Sequence, residues 1–159
     1  MLEEYDIELT RLWRNQDGIR HWFVNSEIIS PEQQKDWWKH YLVRDNDLMF
    51  IIEWKRENRP IGTAALYEID RVARSAKFGR LMIGEMEARG KGLAKEATWL
   101  LCKFGLENLS LEQIYIEILS HNYSVFKKYL DVGYAYQGNS GGLIKMAVNK
   151  GTIRKPSIL

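Results

Sequence analysis

Residues 89–109 read RGKGLAKEATWLLCKFGLENL, a short glycine-bearing loop, Arg89-Gly90-Lys91-Gly92-Leu93-Ala94, opening directly into an apolar repeat. Leu93, Ala97, Leu100, Leu101 and Phe104 fall at intervals of four, three, one and three, which is one face of an α-helix ending near Leu109. Ahead of the loop, Ala76 to Ile83 reads as a strand. Glycines at a strand-to-helix junction let backbone amides turn toward a ligand. The helix N-terminus adds free N–H donors and a positive dipole end, so the loop could hold a pyrophosphate, or it could serve as a plain turn. It is not a P-loop, since no Gly-Lys-Ser/Thr ending is present, and it lacks the third glycine of a dinucleotide fingerprint.

Working outward, Leu48 to Lys55 (LMFIIEWK) and Ile61 to Glu68 (IGTAALYE) are rich in β-formers and flank the turn Arg56-Glu57-Asn58-Arg59-Pro60, giving a hairpin. Before them the first forty residues look helical. Ser30-Pro31-Glu32-Gln33 is a helix start, with Ser30 as N-cap, Pro31 in the first turn and Gln33 able to close a capping box; the helix should run to about Leu42. Beyond the central helix, Ile114 to Leu119 alternates, with three isoleucines on one face and Tyr115, Glu117 and Leu119 on the other. A helix over Tyr123 to Asp131 stops at Gly133, Leu143 to Val148 is a last strand, and residues 150–159 read as a loose tail. No repeat or linker interrupts residues 1–159, so the expectation is one α/β domain with a mixed sheet.

A second motif sharpens the first. Asn122 to Tyr134 reads NYSVFKKYLDVGY, immediately after the alternating strand. A glycine-rich anion loop, a helix, a strand, then Asn and Tyr-x-x-x-Gly-aromatic at this spacing resembles the GNAT superfamily of N-acetyltransferases. Arg89, Gly92 and Ala94 match that family's R/Q-x-x-G-x-G/A motif, and Asn122, Tyr129, Gly133 and Tyr134 match its later motif. Val125 and Lys128 depart from it, where the family carries a small residue and a leucine.

The resemblance implies a mixed, mostly antiparallel central sheet flanked by helices, with acetyl-CoA as cosubstrate. It implies that Arg89, Gly90, Lys91, Gly92, Leu93 and Ala94 hold the pyrophosphate, and that Leu81, Met82 and Ile83 splay from the neighbouring strand to offer main-chain groups to the pantetheine arm. Asn122 would bind that arm, and Tyr129 would protonate the departing thiolate. Several members carry a glutamate where Glu117 stands. Flanked by Tyr115 and Leu119, Glu117 should be partly desolvated, with its pKa raised toward a useful base. Glu68 and Asp70 are in reserve.

Bulk properties narrow the remaining choices. With 45% hydrophobic and 28% charged residues, the chain is of ordinary globular composition. A net charge of +2 implies no broad face for nucleic acid. No apolar run reaches the ~20 residues of a membrane span, and the acidic Met1 to Asp6 carries no signal-peptide pattern. One cysteine, Cys102, cannot form an internal disulfide, which suits the cytoplasm. His21 and His40 lack partners at ligand spacing, so no metal is expected.

The resemblance implies a primary amine as acceptor, and a small-molecule amine is expected. The segments around Trp13-Arg14-Asn15, Ile19-Arg20-His21-Trp22 and Asn25 to Ser30 resemble the branch that acetylates nucleotide-linked aminosugars. There Trp22 would face a ring and Arg14 or Arg20 a diphosphate. Glu68-Ile69-Asp70 and the following basic stretch resemble the polyamine acetyltransferases instead. Protein N-terminal acetylation and a non-catalytic acyl-CoA sensor are further alternatives, and a homodimer is left open.

Overall fold

The structure is a computed structural model and describes residues 1–157. After a 3-10 turn at Glu4–Asp6 come α1 (Ile7–Arg14), α2 (Asp17–Arg20) and α3 (Pro31–Leu42), then β1 (Leu48–Trp54), β2 (Arg59–Asp70) and β3 (Ser75–Ile83). A second 3-10 turn at Met86–Ala88 leads into α4 (Leu93–Glu107), followed by β4 (Gln113–Leu119), α5 (Tyr123–Val132), β5 (Ala135–Ser140) and β6 (Leu143–Val148). The capping box at α3 forms as expected, with the Gln33 amide N–H donating to Ser30 Oγ at 3.2 Å and the Ser30 N–H to Gln33 Oε1 at 2.8 Å.

One six-stranded sheet runs in the order β1-β2-β3-β4-β6-β5. Every neighbouring pair is antiparallel except β3–β4. The isoleucine alternation of β4 sends Ile114, Ile116 and Ile118 into a core shared with Leu66, Phe78, Leu106, Val132 and Met146, beneath α4 and α5. On the other face α1 and α3 cover β1 and β2 through Trp38, Tyr41, Met49 and Ala65. Trp13, Ile19 and Met82 form a third cluster where α1 and α2 meet the end of β3.

Two expectations are corrected. Strand β5 is absent from the sequence reading because AYQGNS has no apolar alternation; it is an almost wholly exposed edge, held by backbone pairing to β6. The tail expected to be loose is docked over residues 150–157, residues 158 and 159 lying outside the described residues. The Arg154 N–H donates to the Val132 carbonyl at 3.0 Å and its guanidinium to Leu130 at 2.6 Å, Pro156 is buried, and Ile153 packs on the core.

Candidate active site

The parallel pair β3–β4 is joined only through Ser75–Gln113, Ala76–Ile114 and Lys77–Tyr115. Beyond Lys77 and Tyr115 the two strands part, and each continues without the other to Ile83 and Leu119. A bulge accompanies the opening: β2 pairs Thr63 with Met82 but Ala65 with Gly79, so β3 carries one residue too many. Arg80 absorbs it with φ +51°, its carbonyl accepting from Thr63 Oγ1 at 2.8 Å. The splay expected of Leu81, Met82 and Ile83 is therefore present, with their backbone free of β4.

At the far end of the opening lies a cavity of ≈ 210 Å³ lined by Ile83, Ala88, Gly90, Gly92, Leu93, Ala94, Lys95 and Lys128. Gly90 and Gly92 have φ of +75° and +76°, a region that favours glycine. A Cβ at Gly90 would meet no atom within 4 Å and would project into open space. No side chain caps α4, so its first N–H groups remain available. Free amides, a positive helix end and Lys128 make a cradle that fits a pyrophosphate, while Lys95 Nζ donates to Asp131 at 3.2 Å.

Two residues of the loop behave otherwise than the resemblance implies. Arg89 turns its guanidinium onto protein oxygens, donating to Ile83 O at 3.0 Å, Gly84 O at 3.1 Å and Gln16 Oε1 at 2.6 Å. Lys91 is exposed and leans toward the Trp54 ring, 5.8 Å from its centroid. Lys128, a departure from the family motif, lines the cradle in their place.

Asn122 is the N-cap residue of α5, and its Oδ1 accepts from Ser124 Oγ at 3.3 Å. Two turns further along that helix the ring of Tyr129 is buried edge-on against Phe78 (6.2 Å between centroids) and Tyr134 (5.3 Å). Phe78 is the first β3 residue past the paired segment, so Tyr129 stands at the floor of the opening. Burial, then Cys102 and Tyr67, pushes the Tyr129 phenol well above its ordinary value. It stays protonated, a proton donor rather than a base. Tyr134 and Cys102 are packed behind it, 3.1 Å apart.

Glu117 does not have the environment expected of it. It is exposed, and its Oε2 lies 2.5 Å from Lys77 Nζ, with Lys145 opposite in register on β6. Its neighbours on that sheet face thus include two lysines.

A second cavity, ≈ 270 Å³, lies between the N-terminal helices and the sheet. Thr10 and Arg14 enter it from α1, Phe23 and Ile29 from the connection after α2, and Gln34 and Trp37 from α3. Met49, Thr63, Arg80 and Met82 supply its floor, the last placing the cavity against the splayed strand. No aspartate or glutamate lines it. The Arg14 guanidinium lies 3.9 Å from the centroid of the Phe23 ring, and its Nη2 donates to the Asn25 carbonyl. Its Nη1 is, among the described residues, the one buried side-chain nitrogen or oxygen without a partner. Burial lowers the Arg14 pKa from its ordinary value, though a guanidinium remains charged at neutral pH. Arg80 is held by a bidentate pair to buried Asp47 at 2.6 and 2.9 Å and stacks on Tyr67.

The other acceptor residues expected from sequence lie elsewhere. Arg20 is committed to Asp17 at 2.8 Å and the Ser26 carbonyl at 2.9 Å, closing its own loop. Trp22 is 61% exposed, and its neighbour Phe23 reaches the cavity instead. Glu68 is exposed near the end of β2, accepting from the Tyr115 hydroxyl at 3.2 Å. Phe23, Trp37 and Arg80 went unread because nothing in their local spacing announces a pocket assembled from separate helices and a strand.

A parted parallel strand pair, an anion cradle at the following helix and a buried tyrosine between them define an acyl-coenzyme A-dependent acyltransferase fold. The acetyltransferase (GNAT) domain family matches residues 1–134, and the chain belongs to that family. It is an acetyl-CoA-dependent N-acetyltransferase. The spermidine N(1)-acetyltransferase of Escherichia coli (strain K12) is 28% identical over 138 residues, covering 86% of this chain and 72% of that protein. An N-acetyltransferase 9-like protein of Caenorhabditis briggsae is 27% identical over 139 residues, 80% and 70% of the two chains. Among solved structures, the Vibrio cholerae spermidine N-acetyltransferase in complex with CoA and spermine superposes with a TM-score of 0.82 at 21% identity, over 95% of this chain and 94% of that one. FdhC, described as a nucleotide-linked sugar GNAT, superposes in its apo form with a TM-score of 0.83 at 25% identity, over 96% and 85%. Among the described residues no helix is long and apolar enough to cross a membrane.

Proposed function

We propose that the enzyme acetylates the primary amine of an acceptor that also bears an anionic group, a nucleotide-linked aminosugar being the class that fits best. The observation that carries this reading is Arg14, whose buried Nη1 has no partner among the described residues in a cavity lined by no carboxylate. A buried donor left unmade costs about 1–3 kcal/mol, more when charged, and a phosphate oxygen would relieve it. Phe23 and Trp37 offer flat apolar faces for a sugar or base beside it. A polyamine carries several positive charges and would meet the Arg14 guanidinium there, while Arg80 is neutralised by buried Asp47. The names of the Escherichia coli and Vibrio relatives favour polyamine acetylation, but the cavity lining does not.

In the reaction the amine nitrogen attacks the thioester carbonyl, the carbon–sulfur bond breaks, and the thiolate of coenzyme A leaves. The splayed Leu81 to Ile83 backbone binds the pantetheine arm together with Asn122, and the Gly90 to Ala94 loop with Lys128 binds the pyrophosphate. Tyr129, kept neutral by burial, donates its hydroxyl proton to the leaving sulfur. Glu117 is occupied by its ion pair with Lys77, so the amine proton leaves to water. The test is thiol release from acetyl-CoA with a panel of nucleotide-linked aminosugars, polyamines and N-terminal peptides. Preference for the polyamines would overturn the reading.

A further inference from the structure

Arg89 occupies the family position associated with the pyrophosphate, yet its guanidinium is committed to Ile83, Gly84 and Gln16. Gln16 is the joint between α1 and α2. On one side of that joint α1 carries Arg14 into the acceptor cavity; on the other, α2 leads to Phe23. Arg89 itself directly precedes Gly90 of the phosphate cradle, and the Ile83 carbonyl it holds belongs to a residue lining that same cradle. One side chain therefore touches the hinge of the acceptor site and the rim of the coenzyme A site.

We propose that Arg89 and Gln16 are positioning residues that couple the two sites, so that coenzyme A in the cradle orders the α1–α2 corner and with it the acceptor pocket. The link is a closed ring: Arg89 donates to Gln16 Oε1 at 2.6 Å and to Gly84 O at 3.1 Å, and Gln16 Nε2 donates to the same Gly84 carbonyl at 3.2 Å. The seam beside the ring has no slack. A Cβ at Gly84 would stand 2.0 Å from Cγ of Trp13, and Trp13 Nε1 donates to Glu85 at 2.8 Å. Displacement of residues 83–90 thus transmits to α1 rather than being absorbed. The far rim of the acceptor pocket is open by contrast, with Val24 91% and Ile28 66% exposed on the connection to α3. Coupling of this kind is reciprocal, so an acceptor that orders the corner also tightens coenzyme A binding.

Hydrogen–deuterium exchange on the full chain with and without coenzyme A tests the link and needs no acceptor. In the wild type, saturating coenzyme A should slow exchange over residues 13–23 by about fivefold or more, besides the direct protection of residues 90–95. Gln16→Leu should bind coenzyme A within about threefold of the wild-type affinity. In that variant, protection over residues 13–23 should fall below about twofold while that over 90–95 persists. Gln16→Glu, which keeps an oxygen for Arg89, should restore the remote protection. The proposal is overturned if residues 13–23 are unprotected in the liganded wild type, or if Gln16→Leu protects them as fully as wild type does.

Discussion

In the proposed reaction single side chains divide the labour between recognition and proton transfer. Arg14→Met keeps an unbranched apolar stem but removes the guanidinium, with its orphaned donor and its stacking on Phe23. The KM for an anionic amine should rise by roughly 10- to 100-fold, the worth of one charged hydrogen bond, with the KM for acetyl-CoA unchanged. Steady-state kinetics with each substrate varied in turn checks this. Equal increases in both constants would mean that Arg14 supports the fold and not the acceptor. Tyr129→Phe removes one oxygen from a well-packed ring and should lower kcat by roughly ten- to a thousand-fold while leaving coenzyme A affinity nearly intact. Glu117→Gln should move kcat by less than about threefold, since its carboxylate is already bound to Lys77. If instead Glu117→Gln erased the acidic limb of the pH–rate curve, the carboxylate would be the base. The placement of Tyr129 was legible in the sequence because it follows from a fixed spacing from Asn122 and Gly133 on one helix. The environment of Glu117 was not, because its partners sit on neighbouring strands: Lys77 across the β3–β4 junction and Lys145 across the β4–β6 register.

At the scale of elements, the strand-to-helix turn before α4 and the opening of β3 from β4 make the proposed cosubstrate site. The turn was readable from its glycines and the periodicity behind it, and Gly90 and Gly92 take the left-handed conformation such a cradle requires. Gly92→Asp should raise the Kd for coenzyme A by more than about tenfold, since a carboxylate would stand against phosphate charge at a strained φ of +76°. Gly92→Ala should weaken binding less, having the strain without the charge. Titration calorimetry on both separates the two contributions, and equal losses would point to strain alone. Element order and most boundaries followed from local pattern, as in β6, expected and found at Leu143–Val148. Strand β5 escaped because it is specified by its partner's backbone and not by its own side chains. The docking of residues 150–157 escaped for a similar reason: Arg154 bonds carbonyls at the end of α5, more than twenty residues back along the chain.

For the whole molecule, the buried cluster behind the opening ties stability to pH. Burial pushes the Cys102 thiol up to about 12, the hydrogen bond with Tyr134 pulling the other way, and raises the phenols of Tyr129 and Tyr134. All three hold their protons more tightly in the folded chain than in the unfolded one. Their contribution is therefore complete below the ordinary thiol value of 9.0 and is lost as pH climbs toward the folded values. The urea midpoint should fall between about pH 8 and about pH 10.5, and an unchanged midpoint would mean that the cluster is open to solvent. The acceptor pocket was the least legible part of the molecule. Arg14 does line the cavity, but the cavity is built from two helices, the connection after α2 and three strands, so Trp22 and Arg20 were chosen where Phe23 and Arg80 stand. The sharpest question concerns the charge that pocket is built to receive. Its most direct test compares kcat/KM, with acetyl-CoA saturating, for a nucleotide-linked aminosugar, the same aminosugar without its nucleotide, and spermidine. The account predicts that the nucleotide-linked acceptor exceeds each of the others by at least about tenfold, the worth of one charged contact. A higher kcat/KM for spermidine would contradict it.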